Sequence, residues 1–364
     1  MKLGAEHLDD LALGSVFLAT GGGGDPHVPK LLTAEVLKRK GPVDLILPSD
    51  LPDDAFVAAI GNVGAPTVSL ELLPSDDEAL IALEAFEKQM GRSLDAVVSF
   101  EIGGGNSLIP IMAAASRGIP VVDGDGMGRA LPEAQMMTYA IKGIPSTPAL
   151  ACDYARNVTL FTTRGTDVYE RHIRALAMSS GGMITTVEHG MTGATLKNAL
   201  IPGTVSFALK LGTFLKENRG QATALFEPLK DLINDSIYGE CRLIHTGKVV
   251  DKSTRIVGGF DVGNTVIEGF DPGTPAVEID IKNEYLLARR GDQVLASVPD
   301  LIIIVDYETS EPINAERLRY GQRIAIFAIG CPAFYRSKDA LAAVSPRHFG
   351  FDLDYIPLED LPMR

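Results

Sequence analysis

Between residues 44 and 123, four apolar segments of strand length alternate with stretches whose apolar residues recur at helical spacing, and this alternation limits the possible folds most. The strand-like segments are DLIL (44–47), AFVAAI (55–60), DAVVSF (95–100) and IPVVD (119–123). DDEALIALEAFEKQM (76–90) and NSLIPIMAAASRG (106–118) read as helices, as does the opening segment 5–19. Strands that are apolar throughout need cover on both faces, and helices placed after each strand supply it. The expected fold class is therefore α/β, with an N-terminal α/β/α sandwich built on a largely parallel sheet.

Further on, residues 167–180, 203–218 and 221–234 read as helices, and after Asp235 the chain becomes short β-rich segments separated by turn signals such as Asp-Pro-Gly and Arg-Gly-Asp. That texture predicts a small barrel or sandwich. A chain of 364 residues also exceeds what one core usually serves. We divide it into residues 1–165, an α/β domain with glycine-rich site loops, and residues 166–364, helical at first and then β-rich and barrel-like.

In such sheets ligands bind beyond the carboxyl ends of the strands. The residues that follow the strands form a series: GNVGAPT (61–67), EIGGGNS (101–107) and DGDGMGR (123–129). Three glycine-rich turns in equivalent positions, carrying Asn62, Glu101, Asn106, Asp123, Asp125 and Arg129, are expected to wall one pocket. Glycine lets main-chain N–H groups approach a ligand, and carboxylates bring acid–base or metal-binding capacity.

A fourth glycine run, Gly21 to Gly24, stands before Asp25 and Pro26. It lacks the Gly-Lys-Ser/Thr of a phosphate loop and the third glycine of a dinucleotide fingerprint, so no nucleotide is expected. Asp25 and Pro26 read as a helix N-cap and first helical residue. Four glycines exceed what a simple corner requires, and the turn, with Asp25 beside it, is read as part of the substrate site, facing an anion or a carbonyl oxygen.

With 47 acidic and 33 basic side chains the net charge is -14, which argues against nucleic-acid or anionic-membrane partners. The first ten residues are acidic where a signal peptide would be cationic, and no apolar run nears the roughly 18 residues of a membrane span, so a cytoplasmic location is expected. Cys152, Cys241 and Cys331 are widely spaced and read as buried small hydrophobes. No HExxH or Cys/His cluster occurs. The oxygen and nitrogen groups left to hold a divalent ion are Asp123, Asp125 and His189, the last placed in a glycine-bounded loop. A β-rich second domain also leaves strand edges that a homo-oligomer would cover.

Five motifs together, LATGGGGDP, GNVGAPTVSLELLP, EIGGGNSLIPIMAAASRGIPVVDGDGMGRALPEAQM, PDLIIIVDYETSEPINAERLRYGQRIAIFAIGCP and SPRHFGFDLDY, resemble the S-methyl thiohydantoin desulfurase family over nearly the whole chain. The resemblance implies an N-terminal α/β sandwich, a C-terminal β-barrel-like domain and a hydrolytic reaction on a hydantoin-type ring. In that reaction water replaces an S-methyl group and methanethiol leaves, with a divalent metal, zinc, implied as the cofactor. The resemblance assigns no residue roles; from the glycine-rich loops themselves, Asp123 or Asp125 is expected to bind metal or act as base, with Glu101 the second acid–base group. The N–H groups of Gly21, Gly22, Gly23, Gly24 and of the 103–105 turn, with Gly104 and Gly105, would hold ring oxygens, and Arg129 would pair with a substrate carboxylate. A non-catalytic subunit binding the same small molecule is the alternative, and an ATP-dependent enzyme is disfavoured by the missing phosphate-binding lysine.

Overall fold

A computed structural model describes residues 1–362, apart from the side chains of residues 69 and 70. The first sheet holds β1 (Lys2–Leu3), β2 (Val43–Ile46), β3 (Phe56–Gly64), β4 (Ala96–Ser99), β5 (Val121–Asp125), β6 (Ala149–Cys152), β7 (Val158–Phe161), β8 (Met183–Thr192) and β9 (Ile201–Pro202). Its order is β1-β2-β5-β4-β3-β8-β6-β7, with β9 on β5. The four strands read from the apolar pattern form the parallel centre, β2-β5-β4-β3. Strands β1, β6, β7, β8 and β9 extend it antiparallel. Every residue of β4 and β5 is buried, as a layer covered on both faces requires.

Helices α1 (Leu8–Leu18), α2 (His27–Lys40), α3 (Glu78–Met90), α4 (Ile109–Arg117), α5 (Thr138–Ile141), α6 (Thr166–Ser179), α7 (Gly193–Ala199) and α8 (Thr204–Glu217) surround this sheet, α9 (Ala222–Asn234) packs on β10 (Cys241–Val257) and β16 (Arg323–Ile329) of the second sheet, and α10 (Lys338–Val344) packs beside α5. The fold is the expected α/β/α sandwich followed by a β-rich domain. Three local readings change. Gly61 to Gly64, with Asn62, belong to β3 rather than to the turn after it. Asp123 and Asp125 lie within β5 rather than in the loop after it, and His189 lies in β8 rather than in a loop. Strand β8 escaped the sequence pattern because Thr185, Thr186, Glu188 and His189 are polar yet buried.

The second sheet is antiparallel throughout: β10 (Cys241–Val257), β11 (Phe260–Gly269), β12 (Val277–Lys282), β13 (Glu284–Arg290), β14 (Gln293–Ser297), β15 (Leu301–Asp306) and β16 (Arg323–Ile329), in the order β14-β13-β12-β11-β10-β16-β15. Its two edges approach each other, so it curls into a half-barrel around Val249, Ile267, Ile279, Ile302, Ile304 and Ile326. The β10–β11 hairpin turns on Gly258 and Gly259 with φ of 59° and 83°, the left-handed pair that a tight two-residue hairpin needs. Its tip reaches the first domain, where Phe260 lies under the Arg174 guanidinium.

No helix among the described residues is long and apolar enough to cross a membrane. Helices α1 and α8 cross with their backbones nearly touching: a Cβ on Gly14 would lie 1.9 Å from the Ala208 carbonyl oxygen, and one on Gly212 1.7 Å from that of Asp10. Gly212→Ala must push these helices apart, and urea titration is expected to show a loss of about 1 to 3 kcal/mol. An unchanged midpoint would contradict the contact.

Candidate active site

The end of β3 and the loop leaving β4 meet the glycine turn at one cavity of about 90 Å³, walled by Gly23, Gly24, Asp25, Asn62, Glu101, Gly105 and Asn106 among others. Polar side chains tie these segments together. The Asn106 amide donates to Glu101 Oε1 at 2.8 Å and accepts the Asn62 N–H at 2.7 Å. Asn62 Oδ1 in turn accepts the Thr185 hydroxyl at 2.7 Å, and Glu101 Oε2 accepts the Leu131 N–H at 3.2 Å. Glu101 thus sits buried at the head of a chain of hydrogen bonds that spans three elements.

The glycine turn does more than face a ligand. Gly21 and Gly22 lie behind the cavity, against the Tyr285 ring and the Glu284 carboxyl, where a Cβ would come within 2.6 and 2.0 Å. The Gly23 and Gly24 carbonyls accept from Asn106 and Gly105, and Gly104 packs against Gly24 with φ of 46°. Asp25 accepts the His27 N–H at 2.8 Å, one residue earlier than an N-cap would, since α2 begins at His27. Its other oxygen pairs with Arg317 of the second domain.

Asp123, Asp125, Arg129 and His189 do not line the cavity. Asp123 Oδ1 accepts the Ser206 N–H at 3.0 Å and so caps α8 from a distance in sequence. Asp125 Oδ2 accepts three main-chain N–H groups, from Ile102, Met127 and Gly128 at 2.7 to 3.1 Å, and holds the β5 exit loop in shape. Arg129, with no exposed surface, donates to the carbonyls of Ala130, Pro299 and Asp300 and to Thr20 Oγ1, so it bolts the two domains together. A substrate carboxylate has no path to it.

The metal set read from the sequence does not fit either. Asp125 Oδ2 is filled by N–H donors, Asp123 faces α8, and His189 Nδ1 faces the Ile144 carbonyl at 3.1 Å. Among the described residues, no three His, Cys, Asp or Glu side chains gather as a metal-binding group.

Other residues complete the wall: Glu133, Glu170, Arg174, Glu188, Asn283 and Glu284. Glu170 and Arg174 form a buried pair at 2.7 Å, one turn apart on α6. Glu284, at the corner between β12 and β13, is the contribution of the half-barrel. Burial pushes its carboxyl well above the ordinary range, and the negative field of Glu101 adds to this. Burial raises Glu101 to about 7, against the pull of Asn106 and the Leu131 N–H. For Glu133 burial also favours the neutral acid, but His348 and Lys282 outweigh it and hold the group near 2. Two acids biased toward neutrality thus sit beside one that stays ionised.

Glu188 adds a third raised group. Burial lifts it to about 8 and lowers neighbouring His189 to about 4. A carbonyl can only accept, so Nδ1 of His189 carries the ring proton and Nε2 presents a lone pair. That lone pair faces Glu188 Oε1 at 3.5 Å, and neither atom has another partner, which suits a protonated Glu188. Glu188 and Glu284 had no separate signal in the sequence. One stands next to the histidine that drew attention, and the other follows Asn283, whose φ of 59° turns β12 into β13.

A central parallel sheet with a second-domain acid closing over its loops leaves a buried, acid-lined cavity between two domains. The chain belongs to the S-Me-THD-like family: the model of its N-terminal domain matches residues 6–163 and that of its C-terminal domain residues 164–358. This agrees with the resemblance carried by the motifs and with a thiohydantoin-related role. Comparison with curated proteins finds no match. Among solved structures, the chain is similar to a protein from Chromobacterium violaceum determined by X-ray crystallography, at 24% identity and a TM-score of 0.82, over 98% of this chain and 100% of that one.

The Glu188 assignment has a thermal consequence. Its folded-state pKa lies above the unfolded value, so its contribution to stability falls as pH rises from about 4.5 through 8. His189, neutral in the fold, carries less than a quarter of a proton in the unfolded state by about pH 7 and adds only a small opposite slope there, the same in both proteins. In Glu188→Gln, the decline in melting temperature between pH 7 and 8.5 is expected to be shallower than in the parent, and equal slopes would show that Glu188 is ionised in the fold.

Proposed function

We propose that this protein is a hydrolase of small five-membered hydantoin-like rings that replaces the S-methyl group of an S-methyl thiohydantoin with oxygen. The observation that carries the reading is the pair Glu101 and Glu284, two buried carboxyls from different domains on one cavity wall. Burial biases both toward the neutral acid, Glu284 further than Glu101, so that once Glu101 ionises, near pH 7, the pair keeps one proton, on Glu284. Glu101 accepts hydrogen bonds that favour its anion, and Glu284 Oε2 has none. Glu101 is the base and Glu284 the acid.

As water adds to the ring carbon bearing sulfur, Glu101 takes its proton and the C–O bond forms. The C=N electron pair moves to the ring nitrogen, which takes the proton of Glu284. On collapse the C–S bond breaks, the new hydroxyl returns a proton to Glu284 as the carbonyl forms, and Glu101 protonates the departing thiolate. One water is consumed, methanethiol and a hydantoin leave, and both glutamates end as they began. The unpaired, buried cysteines support the cytoplasmic setting, where thiols stay reduced. A homo-oligomer remains part of the same reading.

Methanethiol release from an S-methyl thiohydantoin tests it. Glu101→Gln and Glu284→Gln are each expected to lower kcat/KM by about 100-fold or more with the fold retained, while Asp123→Asn stays within a few-fold of the parent. The parent rate should rise with pH through about 7, as Glu101 loses its proton, and fall at higher pH as Glu284 does. Chelation should leave it unchanged. Chelator-sensitive release restored by zinc would bring a divalent ion into the reaction, and saturable binding without release would make this a binding subunit.

A further inference from the structure

The cavity's charges bear on which ring it takes, given the thiohydantoin reading above. Six acidic side chains reach the wall against one basic one, Arg174, among the described residues. Arg174 has little left to offer a ligand. It donates to Glu170, to the Pro132 carbonyl at 2.7 Å and to the Gly64 carbonyl at 3.2 Å, and its face lies 4.1 Å from the Phe260 ring centre. Lys282, the next cation, is bound to Glu133 and does not line the cavity.

The uncharged part of the wall includes the large apolar side chains of Phe100, Leu131, Met127, Met137 and Met183, beside three asparagines, glycines, prolines and smaller apolar residues. Unbranched thioethers adapt to apolar groups of varied shape. A substrate carboxylate placed here would be desolvated among acids without a cation to meet it, whereas an alkyl or aryl group would displace water from apolar surface. We propose that this protein takes thiohydantoin rings bearing an uncharged, apolar substituent, seated against the three methionines, and discriminates against rings bearing a carboxylate.

Binding of the product-type rings tests this independently of turnover. By calorimetry, the intact protein is expected to bind 5-isobutylhydantoin or 5-benzylhydantoin at least tenfold more tightly than hydantoin-5-propionate. Equal or tighter binding of the propionate, or no binding of the apolar rings, would overturn the proposal. Met183→Lys supplies the missing cation and should narrow the preference at least fivefold; an unchanged ratio would count against the methionine wall. Methanethiol release from the matching S-methyl thiohydantoins separates the two readings, since apolar rings that bind without release would leave the ligand class standing and remove the hydrolysis.

Discussion

Glu284 is buried against the backbone of Gly22 and within the field of Glu101, and much of the site's architecture follows from placing those two acids together. In a low-dielectric interior burial favours the neutral acid, and for Glu284 the negative field of Glu101 adds to it. Arg129 eases the placement: its buried charge favours the ionised form of both acids, although its hydrogen bonds all go to carbonyls and to Thr20. Neither domain alone holds the pair, because one acid comes from the β4 exit and the other from the half-barrel.

The glycine turn makes this closure possible. Gly21, Gly23 and Gly24 have φ of 89°, 69° and 76°, conformations that other residues rarely adopt, and Gly22 leaves no room for a side chain beneath Glu284. The turn's carbonyls then serve as acceptors on both sides. Those of Thr20 and Gly21 take the N–H groups of Tyr285 and Ala315 from the second domain, and those of Gly23 and Gly24 take Asn106 and Gly105 from the first. A run of four glycines is thus a junction between domains as well as a cavity wall.

The central strands and their exit loops were legible because continuous apolar runs and glycine clusters are local signals, and Asn62, Glu101, Asn106 and Asp25 indeed converge. Asp123, Asp125 and Arg129 were misread for a different reason. Their positions put them at the correct end of the sheet, but sequence does not say that Asp123 turns to the start of α8, that Asp125 folds back onto its own loop, or that Arg129 runs into the domain junction. Glu188 was hidden in a strand whose buried residues are polar. Glu284 depends on the half-barrel docking onto a segment more than 250 residues away, a long-range fact that no local pattern carries.

The most direct test of this account is the protonation of the carboxylate pair itself. Carbon-13 NMR of protein labelled at the glutamate carboxyl carbons, with Glu101→Gln and Glu284→Gln used for assignment, reads it without substrate. The account predicts a Glu284 signal that stays protonated at pH 7 while Glu101 titrates near that pH, with Glu284 shifting downward once Glu101 is replaced. Two independent titrations near the ordinary glutamate value of about 4.3 would contradict it.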